Sequence, residues 1–371
     1  MMPLRIGVTG AEGFIGKNIM LRMAEVAGLM PVPITRSTAE ADFKDYICGA
    51  ATVINLAGVN RALSPDDFMP GNLGPVEQLI GVLESACRTV PIIHISSAKA
   101  SDDSPYGVSK RAAEDALMAF AKRTGNPVYI YRLPNVFGKW CKPDYNSAVA
   151  TFCHNIARDL PITINDRSAP LDLVYIDDVM DAFINLIAEP PAQSGFFDVP
   201  VTYRSTVGEV ADIISRFRQD RRDNLIETVG TGLNRALYAT YVASLPPQEF
   251  AYEIASHRDP RGAFSEFLKT RTSGQFSYFN ALPGVTRGGH YHHSKTEKFL
   301  IVHGKARFGF RHMVTGETQE IITSAETPVV VETVPGWTHD VTNIGDEIMV
   351  SLLWANEIFD RARPDTIAEK V

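Results

Sequence analysis

Apolar and polar positions follow two different rhythms along this chain. Residues 4–8 are a short unbroken apolar run, the pattern of a strand buried on both faces, and the residues up to 24 that follow carry apolar positions at helical spacing. Apolar runs near residues 32–35, 53–54 and 92–95 are separated by longer segments, with helical patterns at 106–123 and 206–219. Strands alternating with helices predict a parallel sheet flanked by helices. At Ser244, Leu245, Pro246 and Pro247 the rhythm changes, and short runs at 298–302, 306–311 and 328–334 are spaced by turns, as in a small barrel or jelly roll. Two domains are therefore expected: an α/β domain over 1–245 and an all-β domain over 246–371.

Composition adds bounds to this picture. With 371 residues the chain has room for two cores, and 45% hydrophobic with 21% charged residues is the balance of a soluble globular protein. A net charge of −7 leaves neither half a basic platform, so no nucleic-acid partner is expected. No apolar stretch approaches the roughly 18 residues that cross a bilayer. Met1, Met2 and Pro3 lead directly into the first strand, so no signal peptide, no membrane partner and a cytoplasmic location are expected. Cys48, Cys87, Cys141 and Cys153 form no C-x-x-C pair and read as reduced thiols.

Chemistry enters first at Gly10-Ala-Glu-Gly13-Phe14-Ile15-Gly16, between the first strand and the first helix. A tight turn, close backbone approach to a pyrophosphate and close helix packing each call for glycine there, and the helix N-terminus faces the phosphates. The next strand ends at Thr35 and is followed by Arg36, with no acidic residue to hold a free ribose 2′-hydroxyl. An Arg there suits a 2′-phosphate and favours NADPH over NADH, against the plainer reading of a solvated surface charge. Asn55-Leu56-Ala57-Gly58 follows the third apolar run, and Ser96-Ser97 closes the fourth. Tyr106 and Lys110, four apart, share one helix face, where the ammonium is expected to favour the ionised phenol. Such a phenol can pass a proton to a carbonyl oxygen held by Ser97 or its neighbour Ser96. A lone Y-x-x-x-K is an ordinary helix surface; the ordered set is not.

These residues resemble the extended short-chain dehydrogenase/reductase family that acts on nucleotide sugars. Arg132-Leu133-Pro134-Asn135-Val136-Phe137-Gly138 is similar to its strand-to-loop segment near the nicotinamide, and Val174-Tyr175-Ile176-Asp177-Asp178 to its late strand-to-helix step. The resemblance implies a Rossmann-type doubly wound parallel sheet. It also implies a catalytic set of Ser97, Tyr106 and Lys110, with cofactor contacts from Gly10, Gly13, Phe14, Ile15, Gly16, Arg36, Leu56, Ala57, Gly58, Tyr106, Lys110 and Leu133. Only eight residues separate Ser97 from Tyr106, a shorter loop than many members carry.

The second half holds six of the nine histidines between residues 290 and 339. In Gly284-Val-Thr-Arg-Gly-Gly-His290-Tyr-His292-His-Ser-Lys-Thr-Glu297, His290 and His292 stand at i and i+2 and point to one face of a strand, and Glu297 opens the next strand. His339, in Gly336-Trp337-Thr338-His339, offers a fourth ligand. Three imidazoles and a carboxylate suit a divalent metal, zinc first among Zn, Ni, Fe and Mn, in a catalytic or a structural role. The alternative is a set of half-buried polar residues without a metal. This spacing resembles the motifs of the cupin family, which implies an all-β cupin barrel. In the second motif Pro335 stands directly before Gly336 and the leading glycine is missing. His257-Arg-Asp259-Pro-Arg261-Gly262 is similar to the entry segment of sugar-nucleotide 3,5-epimerases.

Over nearly its whole length the chain resembles bifunctional capsule-precursor enzymes of the CapF type, with Phe137-Gly-Lys-Trp140-Cys-Lys-Pro143 and Asn165-Asp-Arg167 adding to the match. The resemblance implies C3 epimerisation of a UDP-linked 4-keto-6-deoxy amino sugar in the cupin domain, then C4 reduction with NADPH. It further implies Asn135 and Arg167 as substrate contacts, and a homodimer. A reductase whose cupin domain only binds sugar or joins subunits is the competing expectation.

Overall fold

The structure is a computed structural model describing residues 3–145 and 147–371. Met1 and Met2, on which the reading of the chain start rests, lie outside the described residues. The chain forms two compact units, residues 1–215 with 230–246 and residues 216–229 with 247–371.

Unit 1 is built on the parallel strands β1 (Leu4–Thr9), β2 (Leu29–Ile34), β3 (Thr52–Asn55), β4 (Ile92–Ser97) and β5 (Val128–Leu133). A shorter sheet holds β6 (Asn135–Phe137), β7 (Pro170–Tyr175) and β9 (Tyr203–Thr206), while β8 (Gly195–Phe197) joins the main sheet. The main order is β2-β1-β3-β4-β5-β8. β2 carries Pro31 and Pro33, two residues apart and hence on one side of the strand. Proline cannot donate to a ladder, so this strand ends the sheet.

Helices α1 (Phe14–Ala24), α2 (Glu40–Cys48), α3 (Phe68–Asn72), α4 (Gly74–Ser85), α5 (Pro105–Thr124), α6 (Ala148–Ala157), α7 (Ile176–Ala188), α8 (Val207–Arg222) and α9 (Gly232–Ala243) make up the helical part. On one face of the sheet Val53, Ile92, Val128 and Ile130 pack with Ile47 of α2, Leu79 of α4 and Leu117 and Phe120 of α5. Ile54 and Ile93, at alternate positions and so on the opposite face, are equally buried. Both faces are covered, as the unbroken apolar runs require. α5 shows why helix bounds are readable here: the Ser104 side chain accepts from Gly107 N, Pro105 opens the first turn and Gly125 closes the last at φ +76°. Among the described residues no helix is long and apolar enough to cross a membrane.

Unit 2 takes in β10 (Leu225–Ile226), β11 (His257–Asp259), β12 (Gly262–Thr270), β13 (Gly274–Ala281), β14 (Thr286–Tyr291), β15 (Glu297–His303), β16 (Lys305–His312), β17 (Thr318–Ser324), β18 (Val330–Glu332), β19 (Trp337–Asn343), β20 (Met349–Ala355) and β21 (Ile367–Ala368). One sheet runs β10-β12-β13-β20-β15-β18, with β11 on β12, and the other β17-β16-β19-β14-β21; apart from the short β10, all pairings are antiparallel. Phe279, Phe299, Ile301, Phe308, Phe310, Val331, Val341 and Met349 from both sheets share one core. The turns of residues 216–222 in α8 group with this unit, although helical periodicity assigns them to the first half.

Candidate active site and metal centre

In unit 1 the chain leaves β1 toward β2 on one side and reaches β3 on the other, so the loops after β1 and β3 flank the point where strand order reverses. Open α/β sheets bind ligands at the carboxyl ends of strands at such a point. The two loops touch: a Cβ built on Gly10 would lie 3.0 Å from Ala57 N. A Cβ on Gly16 would lie 2.3 Å from the Gly10 carbonyl oxygen, so α1 can seat on this loop only with glycine there. Gly13 is the N-cap of α1 and supplies no side-chain cap, which leaves the amides of the first turn, including Phe14 and Ile15, to other partners. The structure thus gathers the glycines, Phe14, Ile15, Leu56, Ala57 and Gly58.

A buried network absent from the sequence reading fixes these loops. Thr9 Oγ1 accepts from the amides of Leu56 and Ala57, both at 3.1 Å, and donates to Asn55 Oδ1 at 2.6 Å. Asn55 Nδ2, which can only donate, lies 3.1 Å from His94 Nδ1, and this assigns the ring proton to Nε2. Burial, helped by the Lys110 ammonium, pulls His94 down to about 3, so the ring is neutral. Arg36 is exposed just past β2, beside a cluster in which Thr35 Oγ1 and Ser37 Oγ are 2.8 Å apart and Thr35 N donates to Thr38 Oγ1.

Ser97 is the last residue of β4 and Tyr106 lies in the first turn of α5. The phenol donates to Asn60 Oδ1 at 3.1 Å, and its ring packs edge-on against Phe68. Burial pushes its pKa up, while a hydrogen bond with the Ser97 side chain works the other way. Ser96 Oγ is buried without a partner, whereas Ser97 Oγ accepts from Lys99 N at 3.2 Å and favours the ionised phenol. Lys110 is directed elsewhere than expected. Its Nζ donates to the Ile95 carbonyl at 3.1 Å, burial draws it down to about 8, and the phenol beside it is raised rather than lowered. Leu133 closes β5 in register with Ser97. Asn135 donates to the Asp172 carbonyl at 3.2 Å, and the Arg167 guanidinium is held by Asp212 at 2.7 Å.

In unit 2, His290, His292, Glu297 and His339 come together, their ligand atoms all within 4.8 Å of one another. A bulge at Gly288 and Gly289, with φ of +91° and +75°, sets His290 directly opposite His339 on β19. A side chain at Gly288 would meet the His339 carbonyl oxygen at 2.9 Å. His292 falls just beyond β14, not within it, and is held from afar: its Nδ1 donates to the Asp365 carbonyl at 2.5 Å. The Asp365 carboxylate accepts from the amides of His293, Ser294 and Lys295, pinning the turn that leads to Glu297.

With its Nδ1 proton used, His292 turns an Nε2 lone pair toward Glu297 Oε2 at 3.3 Å. Two acceptors facing each other call for a cation between them. His339 adds two buried ring nitrogens without a hydrogen-bond partner, its Nε2 3.6 Å from the same oxygen. Lys295 takes the other oxygen, Glu297 Oε1, at 2.8 Å. Burial disfavours the Glu297 charge, but the surrounding polar groups, His292, His339 and the Lys295 ammonium, outweigh it and hold the carboxyl well below its usual range. His290 is drawn down to about 4, chiefly by burial, and so is a neutral donor. Borderline nitrogen ligands with one carboxylate fit a divalent first-row ion.

Beside the cluster lies a cavity of about 280 Å³ walled by Phe264, Phe279, Phe299, Phe308 and Phe359. His293 is exposed and its ring meets that of Tyr291 edge-on; neither residue lines this cavity. Lys295 and Asp365 were not singled out by sequence. Lys295 sits inside the motif, but Asp365 is linked to it only through the fold.

Residues 6–197 match the NAD dependent epimerase/dehydratase family and residues 257–367 the polysaccharide biosynthesis C-terminal domain. Over 365 residues, 98% of each chain, the protein is 50% identical to a UDP-2-acetamido-2,6-beta-L-arabino-hexul-4-ose reductase of Pseudomonas aeruginosa. The capsular polysaccharide assembling protein CapF from Staphylococcus aureus is similar across 99% of this chain and 100% of its own, with a TM-score of 0.92 at 39% identity. Thermus thermophilus UDP-glucose 4-epimerase, solved with NAD, shares the fold at 17% identity, with a TM-score of 0.53 over 65% of this chain and 99% of that one. The chain belongs to the NAD dependent epimerase/dehydratase family and, within it, to the CapF-type proteins.

Proposed function

We propose that this chain is a bifunctional nucleotide-sugar enzyme of surface-polysaccharide synthesis. Unit 2, a cupin barrel, epimerises C3 of UDP-2-acetamido-2,6-dideoxy-4-hexulose, and unit 1 reduces the C4 ketone with NADPH. The product is UDP-N-acetyl-6-deoxy-L-talosamine, on the route to UDP-N-acetyl-L-fucosamine. The observation that carries the reading is the Tyr106 phenol, hydrogen-bonded to Asn60 in the loop after β3, in the first turn of the helix that follows Ser97 at the end of β4, in a chain half identical to a reductase of a UDP-linked keto sugar.

NADPH bound at the loops after β1 and β3 would supply the hydride for C4. Tyr106 gives its proton to the C4 oxygen, completing the alcohol, while Ser97 orients that oxygen by a hydrogen bond. Lys110 and the Thr9–Asn55–His94 network hold the floor of the cleft. Arg36 with the hydroxyls around it suits the 2′-phosphate of NADPH.

In unit 2 a divalent ion, zinc first, held by His290, His292, Glu297 and His339, supplies Lewis-acid stabilisation to a carbonyl oxygen. Lys295 keeps Glu297 ionised and turned to the cluster, and the aromatic walls make the adjoining cavity largely apolar.

The test is substrate incubated in D2O without NADPH. Wild type and Tyr106→Phe incorporate deuterium at C3 and Glu297→Gln does not; on adding NADPH, Tyr106→Phe fails to oxidise it on either C3 epimer, whereas Glu297→Gln oxidises it at the wild-type rate only when given the C3-epimerised ketone. NADPH oxidation without exchange in wild type establishes the second reading, a reductase with a non-catalytic cupin domain. The P. aeruginosa relative, named for reduction alone, favours that reading.

A further inference from the structure

Arg167, the cation that the sequence offers for the substrate, is already neutralised by Asp212. Three further basic groups of unit 1 are likewise matched: Lys139 with Asp177, Arg111 with Asp103 and Arg204 with Asp172. Arg61 and Lys142 differ. Both are exposed, neither forms an ion pair among the described residues, and both lie over one ring, each 5.6 Å from the centroid of Tyr145.

The two cations come from separate loops, one following β3 and the other following β6, that is, from the carboxyl ends of parallel strands. Arg61 Nη1 donates to the Asp144 carbonyl at 3.0 Å, which fastens the loops together and uses one of the five guanidinium N–H groups. Arg61 also follows Asn60, the residue hydrogen-bonded to the Tyr106 phenol. Two like charges sharing one ring repel each other and are relieved by an anion.

We infer that Arg61 and Lys142 form the subsite for the diphosphate that joins nucleoside and sugar. This rests on the function proposed above. A diphosphate diester carries two negative charges against two uncompensated cations, and Arg61 places the grip one residue from a group that touches the reacting phenol. The Tyr145 ring holds both cations at a common spacing, and the Asp144 carbonyl fixes the guanidinium plane. The reducing half of the molecule therefore recognises its substrate by the charged linkage as well as at the carbonyl that reacts.

The experiment is calorimetric titration of the full chain with UDP and, separately, with uridine, for wild type, Arg61→Gln, Lys142→Gln and the double variant. Each single change weakens UDP binding about tenfold and the pair about a hundredfold, in line with the loss of charge-assisted hydrogen bonds, while uridine binding is unchanged. The KM for the keto sugar rises in parallel and kcat stays within about twofold, as removal of uniform binding requires. A double variant with wild-type UDP affinity, or with equal losses for UDP and uridine, overturns the inference. Wild type that binds no UDP at all instead refutes the proposed function.

Discussion

Replacing Lys110 by methionine tests the electrostatics of the reductase cleft directly. Lys110 is 6% exposed, and burial lowers it from 10.5 to about 8. Carrying its charge at neutral pH therefore costs about 3 kcal/mol relative to the unfolded chain. Methionine fills much the same volume without that cost, but it forfeits the hydrogen bond to the Ile95 carbonyl, a loss of about 1–2 kcal/mol. The variant is thus expected to be more stable at pH 7 by about 1–2 kcal/mol, or roughly 3–6 °C for a unit of this size.

The sign with pH follows from linkage. Between about 8 and 10.5 the unfolded chain binds the lysine proton more tightly than the folded one, so wild-type stability gains on the variant as pH rises through that window. Below 8 the penalty is fully present. Scanning calorimetry of both proteins at pH 7 and pH 10 measures the gap, and NADPH oxidation at pH 7 is expected to fall at least tenfold despite the higher melting point. A variant less stable than wild type at pH 7, or a gap that stays constant with pH, would refute the reasoning.

Three further outcomes follow from the geometry. Gly16→Ala drives a methyl group into backbone oxygens of Gly10 and Ala11, at 2.3 and 2.6 Å, and should cost about 1–3 kcal/mol and weaken NADPH binding more than tenfold in a fluorescence titration. Arg132→Met strands Glu114, whose side chain is 1% exposed; because Arg132 is itself 38% exposed, the loss should fall near the low end of about 3–5 kcal/mol, and adding Glu114→Leu should restore most of the melting temperature. Dialysis against a strong chelator should lower the melting temperature of unit 2 and added zinc should recover it, since His339 and Glu297 are otherwise left buried without their shared cation; an unchanged melt would remove the metal from the account.

Much of this was legible because it is local. The helix of Tyr106 announces itself through Ser104, Pro105 and Gly125, and β1 through an apolar run that only a doubly covered strand carries. His290 and Glu297 are likewise placed by strand periodicity and one turn. What escaped depends on contacts between distant segments. Asp365 reaches the turn at His293–Lys295 from about seventy residues away, and His94 acquires its role only because β3 and β4 lie side by side. Helical spacing identifies α8 but says nothing of which core its final turns serve. Likewise, the i, i+4 spacing of Tyr106 and Lys110 gives a shared face, but not that the ammonium turns toward Ile95.

Those final turns bear on whether the two halves are interchangeable parts. Arg271 draws its partners, Asp220 and Glu227, from the segment 216–229, and the amide of Lys269 donates to the Asn224 carbonyl beside the short β10–β12 pairing. A splice at residue 246 would hand a recipient an all-β body with one border stripped of its ladder and an arginine bereft of both acids. Chimeras between relatives should therefore keep 216–229 and 247–371 from the same parent, even though another helix of the first body, α9, intervenes in the chain.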